Sequence, residues 1–353
     1  MCSPSYSVTS AFLMVEPSSR VTRTDISMAV RTISFEDAMR EADSVTPNLL
    51  LGNGFSMQPH PELSYRSLAQ VAKKLDPSIK PLLEDETNFE KVMASVFPHE
   101  RDRLRSCFIE TISHVHGRRD RLLTDEQLAF CCKFLHRFLR RRKYPRPRGL
   151  LFTTNYDLLI FWAVVEEARI GYCKDGFNDH KSAMWYPQSD DQIFYLHGAL
   201  HIFDEGASTC GRPMISRMRA RKGLSLIESV KRRIASGDMP LFVSEGTSEE
   251  KLARIRKSPY LQAALMRFED ACRQADRPLF VYGHSLSDVD IHIRRAITEG
   301  NLSRLYVSYH DKDALERLRY TASEIMTARS PSRPIDIAAF DSSTAKVWGS
   351  ADD

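Results

Sequence analysis

The sequence predicts an α/β fold: a Rossmann-like parallel sheet with helices on both faces, plus a helical insertion. Three observations carry this. Short, continuous apolar runs recur along the 353 residues, as strands buried on both faces require. Helical segments separate most of these runs, the alternation that builds a parallel sheet. Several runs end in glycine and hydroxyl-bearing residues, at the strand ends where open parallel sheets bind ligands.

In chain order, residues 34–44 open with Ser34-Phe35-Glu36-Asp37-Ala38. This reads as a short helix with Ser34 as its cap and Asp37 at the capping-box position. Asn48-Leu49-Leu50-Leu51 is the first buried strand, closed by Gly52. Residues 64–145 read as mostly helical. Apolar positions recur there at three and four, as in Phe89, Val92, Met93 and Val96, then Phe130, Phe134, Leu135 and Phe138. The insertion ends in a basic run, Arg137 to Arg148, which reads as a solvated helix end with cations near its C-terminus, with a phosphate- or nucleic-acid-binding patch as the alternative. Further strands are expected at 149–153, 192–196, 239–243, 278–282, 304–308 and 335–340, and helices at 249–255 and 259–275. The expected organisation is a flexible arm at 1–31, one α/β domain at 32–341 with its insertion at about 64–145, and a flexible tail at 342–353.

Composition excludes several classes. Fifty basic residues against 46 acidic ones give a net charge of +4, too balanced to argue for nucleic acid or a membrane surface. No apolar run reaches the roughly 18–20 residues that span a bilayer. The seven cysteines form no Cys-x-x-Cys pair, which argues against a disulfide framework or a zinc knuckle. A reducing cytoplasm is the expected compartment.

Four strand exits carry the candidate chemistry. In Gly52-Asn53-Gly54-Phe55-Ser56, glycines allow a tight turn and close approach to a pyrophosphate, and N–H groups at the next helix favour its charge. Thr153-Thr154-Asn155-Tyr156-Asp157 supplies two hydroxyls, an amide and a carboxylate, more than one helix cap uses. Tyr195-Leu196-His197-Gly198 places a histidine at a strand end, a general-base position. Gly283-His284-Ser285-Leu286-Ser287-Asp288-Val289-Asp290 repeats the glycine–hydroxyl pattern and adds acids that can hold ribose hydroxyls. Each block also reads as an ordinary turn or cap when taken alone.

Together, in this order, the four blocks resemble the sirtuin superfamily. Sirtuins carry a Gly-Ala-Gly-x-Ser loop, a Thr-Gln-Asn-x-Asp block, a Leu-His-Gly block and a late Gly-Thr-Ser block. This chain offers Gly52/Gly54/Ser56, Thr153/Asn155/Asp157, Leu196/His197/Gly198 and Gly283/Ser285 over residues 47 to 310. It is similar above all to sirtuin-like families of bacterial anti-phage defence, whose late block often reads Gly-x-Ser-Leu-x-Asp. Phe242-Val243-Ser244-Glu245-Gly246-Thr247 is also similar to a block in one of these families. The sirtuin zinc cysteines have no counterpart, and Pro59-His60-Pro61-Glu62-Leu63-Ser64-Tyr65-Arg66 stands where deacylases carry Ile-Pro-Asp-Phe-Arg.

The resemblance implies NAD as substrate or ligand, no metal, and cleavage of NAD to nicotinamide and ADP-ribose. It implies Asp157 near the nicotinamide carboxamide, Asn155 holding a water and the ribose, and His197 as base. Gly52, Asn53, Gly54, Phe55, Ser56, Thr153 and Thr154 would hold the dinucleotide, with Gly283, Ser285 and Asp288 on its adenosine side. Such an activity implies gating, by homo-oligomer assembly or by a defence-system partner. The alternatives are a non-catalytic NAD or ADP-ribose sensor, a deacylase or ADP-ribosyltransferase, and a plain interaction protein.

Overall fold

The computed structural model of the chain describes residues 30–139, 148–166, 173–178, 183–220, 223–244 and 247–349. Most of the expected arm, residues 140–147 of the basic run, Glu245-Gly246 and the last residues of the expected tail lie outside them.

Ten strands are described: β1 Arg31–Ile33, β2 Asn48–Leu51, β3 Leu151–Thr153, β4 Ile193–Tyr195, β5 Gly198–Ala207, β6 Pro213–Arg217, β7 Pro240–Phe242, β8 Leu279–Tyr282, β9 Arg304–Tyr309 and β10 Asp336–Asp341. Seven form one sheet in the order β1-β10-β9-β8-β2-β3-β4. Every neighbouring pair in it is parallel. The fold is therefore α/β and Rossmann-like.

Alternation within the apolar runs serves two faces. Leu49, Leu51, Phe280, Tyr282 and Phe340 enter one buried cluster, while Leu50, Leu279, Val281 and Ala339 enter a second on the other side. The first face is covered by Phe35–Glu41 and by the insertion, whose helices are Tyr65–Leu75, Phe89–Ser95, Pro98–Val115, Arg119–Leu122 and Asp125–Leu139. Phe89, Met93, Phe134, Leu135 and Phe138 are buried in that cluster, so the periodic apolar face of the insertion is core. The second face is covered by Pro259–Cys272, Ile291–Glu299 and Lys312–Ala328. At the start, the Ser34 hydroxyl accepts from the Asp37 N–H at 3.1 Å, the cap expected there.

Three expectations change. The run at 239–243 does form β7, but in a separate antiparallel sheet of order β6-β5-β7, whose other two strands the sequence did not suggest. Gly198, at φ +78°, opens β5, and the chain runs on beside the end of β3, with Leu196 N–H on Thr153 O and Leu200 N–H on Tyr156 O. A Cβ at Gly198 would stand 1.9 Å from the Leu241 carbonyl oxygen, so β5 and β7 approach where only glycine fits. The arm expected to reach residue 31 ends in β1, where Arg31 pairs with Ala338. The tail expected to be flexible after Asp341 instead packs: Val347 and Trp348 are buried, and Trp348 Nε1 donates to the Phe55 carbonyl at 2.8 Å. Among the described residues no helix is long and apolar enough to cross a membrane.

Candidate functional site

From β2 the chain moves to β3 and β4 on one side of the sheet. Strands β8, β9 and β10 lie on the other. The carboxyl ends of β2 and β8 therefore flank the topological switch point, where open α/β sheets leave a crevice. A cleft of about 1010 Å³ lies there.

The glycines at this point serve the chain itself. Gly52 N–H donates to Tyr282 O at 3.0 Å and Gly54 N–H to Gly283 O at 2.9 Å. A Cβ at Gly52 would stand 2.6 Å from Gly283 O, and one at Gly283, where φ is +69°, 2.5 Å from Phe55 N. The close backbone approach expected for a pyrophosphate is thus an approach of two loops. Gly54 N–H is engaged, and Gly52 does not reach the cleft, whereas Asn53 and Gly54 line it. Phe55, expected at the ligand, is fully buried against Trp348 with ring centroids 4.9 Å apart.

Ser56 is also fully buried, and acts through two neighbours. Its hydroxyl donates to Asp157 Oδ2 at 2.5 Å and accepts from Asn155 Nδ2 at 2.8 Å. That donor pattern fixes the amide: Nδ2 faces Ser56, and the buried Asn155 Oδ1 has no protein partner. Asp157 Oδ1 accepts from the Leu159 N–H at 2.9 Å. Burial pushes the Asp157 carboxyl up, against the Ser56 and Leu159 hydrogen bonds. Thr153 lies beneath, its hydroxyl accepting the Asn155 N–H at 3.0 Å. Thr154, Asn155 and Asp157 line the cleft.

His197, between β4 and β5, is 1% exposed and also lines the cleft. Its Nε2 lies 2.9 Å from Nε2 of His292 and 3.8 Å from Oδ1 of Asp290. Burial drives its pKa well below the ordinary value, against the pull of Asp290. Burial also lowers His292, to about 4. A neutral imidazole at a cleft wall has a free lone pair, which a base needs.

Behind His197 stands a cluster that sequence reasoning missed. Lys251, fully buried, donates to Glu90 Oε2 at 2.6 Å and Asp290 Oδ1 at 2.8 Å. Burial raises the Asp290 carboxyl, but Lys251, His197 and His284 outweigh it and hold it well below the usual carboxylate range. His284 Nε2 stands 3.2 Å from Asp290 Oδ2, while its Nδ1 accepts the Leu286 N–H at 3.0 Å. Both acids of the late block line the cleft, at different depths. Asp288, whose side chain is 85% exposed, stays at the rim paired with Arg294, and Asp290 turns inward. Gly283 and Ser285 line the cleft as expected. The spacing Asp290-x-His292 was the available signal. Lys251 had none, since it sits in a helix that reads as charged surface, and Glu90 reads as the solvated side of an amphipathic helix.

His197, Asp290 and His292 offer ligand atoms within 4.8 Å of one another, the geometry of a metal trio. However, the Asp290 oxygens already face Lys251 and His284, and an ammonium at the ligand carboxylate opposes a second cation. Within the trio the hydrogen bond joins His197 and His292, and Asp290 is bonded instead to Lys251.

No curated protein matches the chain. The sequence model of one family, described as a domain of unknown function (DUF4917), matches residues 49–348. The chain, with its parallel sheet and the cleft at its switch point, belongs to the DUF4917 family.

Proposed function

We propose that the cleft binds a nicotinamide dinucleotide and cleaves it to nicotinamide and ADP-ribose. One observation carries the reading. Asn155, Asp157 and His197, which come from two separate strand exits, converge on one cleft at the switch point. The types of group suit the chemistry. Breaking the bond between nicotinamide and ribose passes through an oxocarbenium-like state, as in glycoside hydrolysis. The reaction needs a contact for the leaving carboxamide, an oriented water and a base. Asn155 Oδ1 is an open buried acceptor, suited to a water or a ribose hydroxyl. Asp157, pushed up by burial, is placed to meet an amide, and His197 accepts a proton from the water or a ribose hydroxyl.

The interlocked glycine loops favour a second reading, a dinucleotide-sensing module without turnover. The engaged Gly54 N–H leaves less of a phosphate cradle than a catalytic dinucleotide site generally presents. Melting curves with NAD and ADP-ribose test the binding both readings share. A ligand that binds only the folded state stabilises it by about 2.7 kcal/mol at a hundredfold excess over Kd. Absence of any shift with either ligand removes both readings.

A further inference from the structure

Behind the cleft wall two histidines meet nitrogen to nitrogen. His197 stands between β4 and β5, and His292 in the helix Ile291–Glu299. Their Nε2 atoms lie 2.9 Å apart. Burial favours the neutral form of both rings. A neutral imidazole has one N–H and one bare nitrogen, so across this contact one Nε2 donates and the other accepts. Asp290 sets the direction. Its Oδ1 accepts from Lys251 at 2.8 Å and stands 3.8 Å from His197 Nε2. A bare Nε2 on His197 would set its lone pair beside that acceptor oxygen, whereas an N–H there places a positive hydrogen beside it. His197 is therefore the donor, and its other nitrogen, Nδ1, is bare.

The surroundings of His292 call for no polar group. The other buried residues of its helix are Ile293, Ala296 and Ile297. His292 Nδ1 is buried without a protein partner, and the contact with His197 is its one hydrogen bond among the described residues. Burying a half-satisfied imidazole is unfavourable, and a buried polar group left in that state points to a chemical role.

We propose that His292 is a positioning residue: it accepts the Nε2 proton of His197 and so keeps Nδ1 bare for the reacting water. The proposal rests on the cleavage reading and deepens it. The bond between ribose and nicotinamide breaks with its electron pair on the ring, which leaves neutral. The water oxygen bonds the ribose carbon, and a water proton passes to Nδ1, from where it returns to solvent. While His197 carries that proton, its bond to His292 is charge-assisted and about twice as strong. Without an acceptor at 292, nothing holds the proton at Nε2, and the ring is free to carry it at Nδ1, which turns a base into a donor.

The test follows nicotinamide release from NAD by the full chain and by its His292→Gln and His292→Leu variants. The glutamine amide oxygen takes the place of Nε2 as acceptor, and leucine fills the volume without one. The expected result is a kcat lower by about 10²-fold or more in His292→Leu, with KM little changed, and most of that loss restored in His292→Gln. Ring-nitrogen NMR of the histidine-labelled parent, assigned against His197→Ala, reads the tautomer even where neither variant at 292 folds. Nε2 of His197 should carry the proton and Nδ1 none. A proton on Nδ1 overturns the proposal and leaves cleavage standing. Two variants equally impaired, or both as active as the parent, overturn it too. A parent that releases no nicotinamide ends the cleavage reading, and this proposal with it. Stoichiometric Zn²⁺ binding that is lost in His292→Leu assigns the histidine pair to a metal, and overturns the proposal as well.

Discussion

Replacing Lys251 by methionine probes the cluster beneath the cleft most severely. The side chain is fully buried, and its ammonium is the charged partner of both Glu90 and Asp290. Methionine roughly keeps the volume, so the loss is electrostatic. Removing one partner of a buried pair costs about 3–5 kcal/mol, because the other charge stays behind unpaired. Against a total of about 5–15 kcal/mol for a folded domain, that is a large share. The sign with pH follows from Asp290. In the parent its folded pKa lies below the unfolded value of about 3.9, so its contribution is complete above that pH and is lost as pH falls through the folded value. Without Lys251, burial dominates and the folded pKa rises above the unfolded one. The variant's deficit should therefore be large already near pH 4 and grow further as pH rises toward 7. Urea unfolding followed by circular dichroism at both pH values measures it, and Glu90→Gln added to Lys251→Met should restore part of the loss at pH 7. A single variant that loses under about 1 kcal/mol, equally at both pH values, would refute the reasoning.

Other perturbations test the remaining parts. Gly283→Ala puts a Cβ 2.5 Å from Phe55 N at a φ of +69°, and should cost about 1–3 kcal/mol in urea unfolding, with weaker dinucleotide binding. Trp348→Ala empties a buried site and removes the hydrogen bond to Phe55 O. It should cost about 3–5 kcal/mol, a loss a frayed tail would not show. Ser56→Ala removes the hydroxyl that donates to Asp157, costing about 1–3 kcal/mol. Because it pushes an already raised carboxyl further up, that cost should increase as pH rises through the folded pKa, which unfolding at pH 5 and pH 8 reads.

The parallel sheet was legible because its strands are buried on both faces, and such strands leave unbroken apolar runs. Asn48–Leu51 and Leu279–Tyr282 are buried at every position, and both stood out in the sequence. The small antiparallel sheet was not legible. Pro240–Phe242 is as fully buried as β2 and β8 of the large sheet, and only its pairing with β5 sets it apart. Strand β5, with its first six residues buried and its last four exposed, shows no clean alternation. The tail after Asp341 is mostly small and polar, so the two apolar residues that anchor it, Val347 and Trp348, carried little weight.

In the cleft, Asn155, Asp157 and His197 were legible because polar groups at the ends of buried strands need a reason. The glycines were legible as a tight approach, but the sequence does not say what approaches them. Asp288 and Asp290 are two residues apart, and the short helical turn at Asp288–Asp290 decides which one faces inward. Lys251 lies in Ser-Glu-Glu-Lys-Leu-Ala-Arg-Ile-Arg-Lys, where nothing local separates a buried lysine from a solvated one. Its partners come from 161 residues upstream and 39 downstream, distances at which a single sequence carries no pairing signal.

Incubating the purified chain with NAD and following nicotinamide by chromatography, with His197→Ala and Asn155→Ala beside it, tests cleavage in the cleft itself. A positioned base contributes roughly 10²- to 10⁴-fold in rate. The expected result is release by the parent and a loss of that size or greater in both variants while each still unfolds cooperatively. Release that persists in both folded variants, or a parent that neither cleaves NAD nor is stabilised by NAD or ADP-ribose, would contradict cleavage in the cleft.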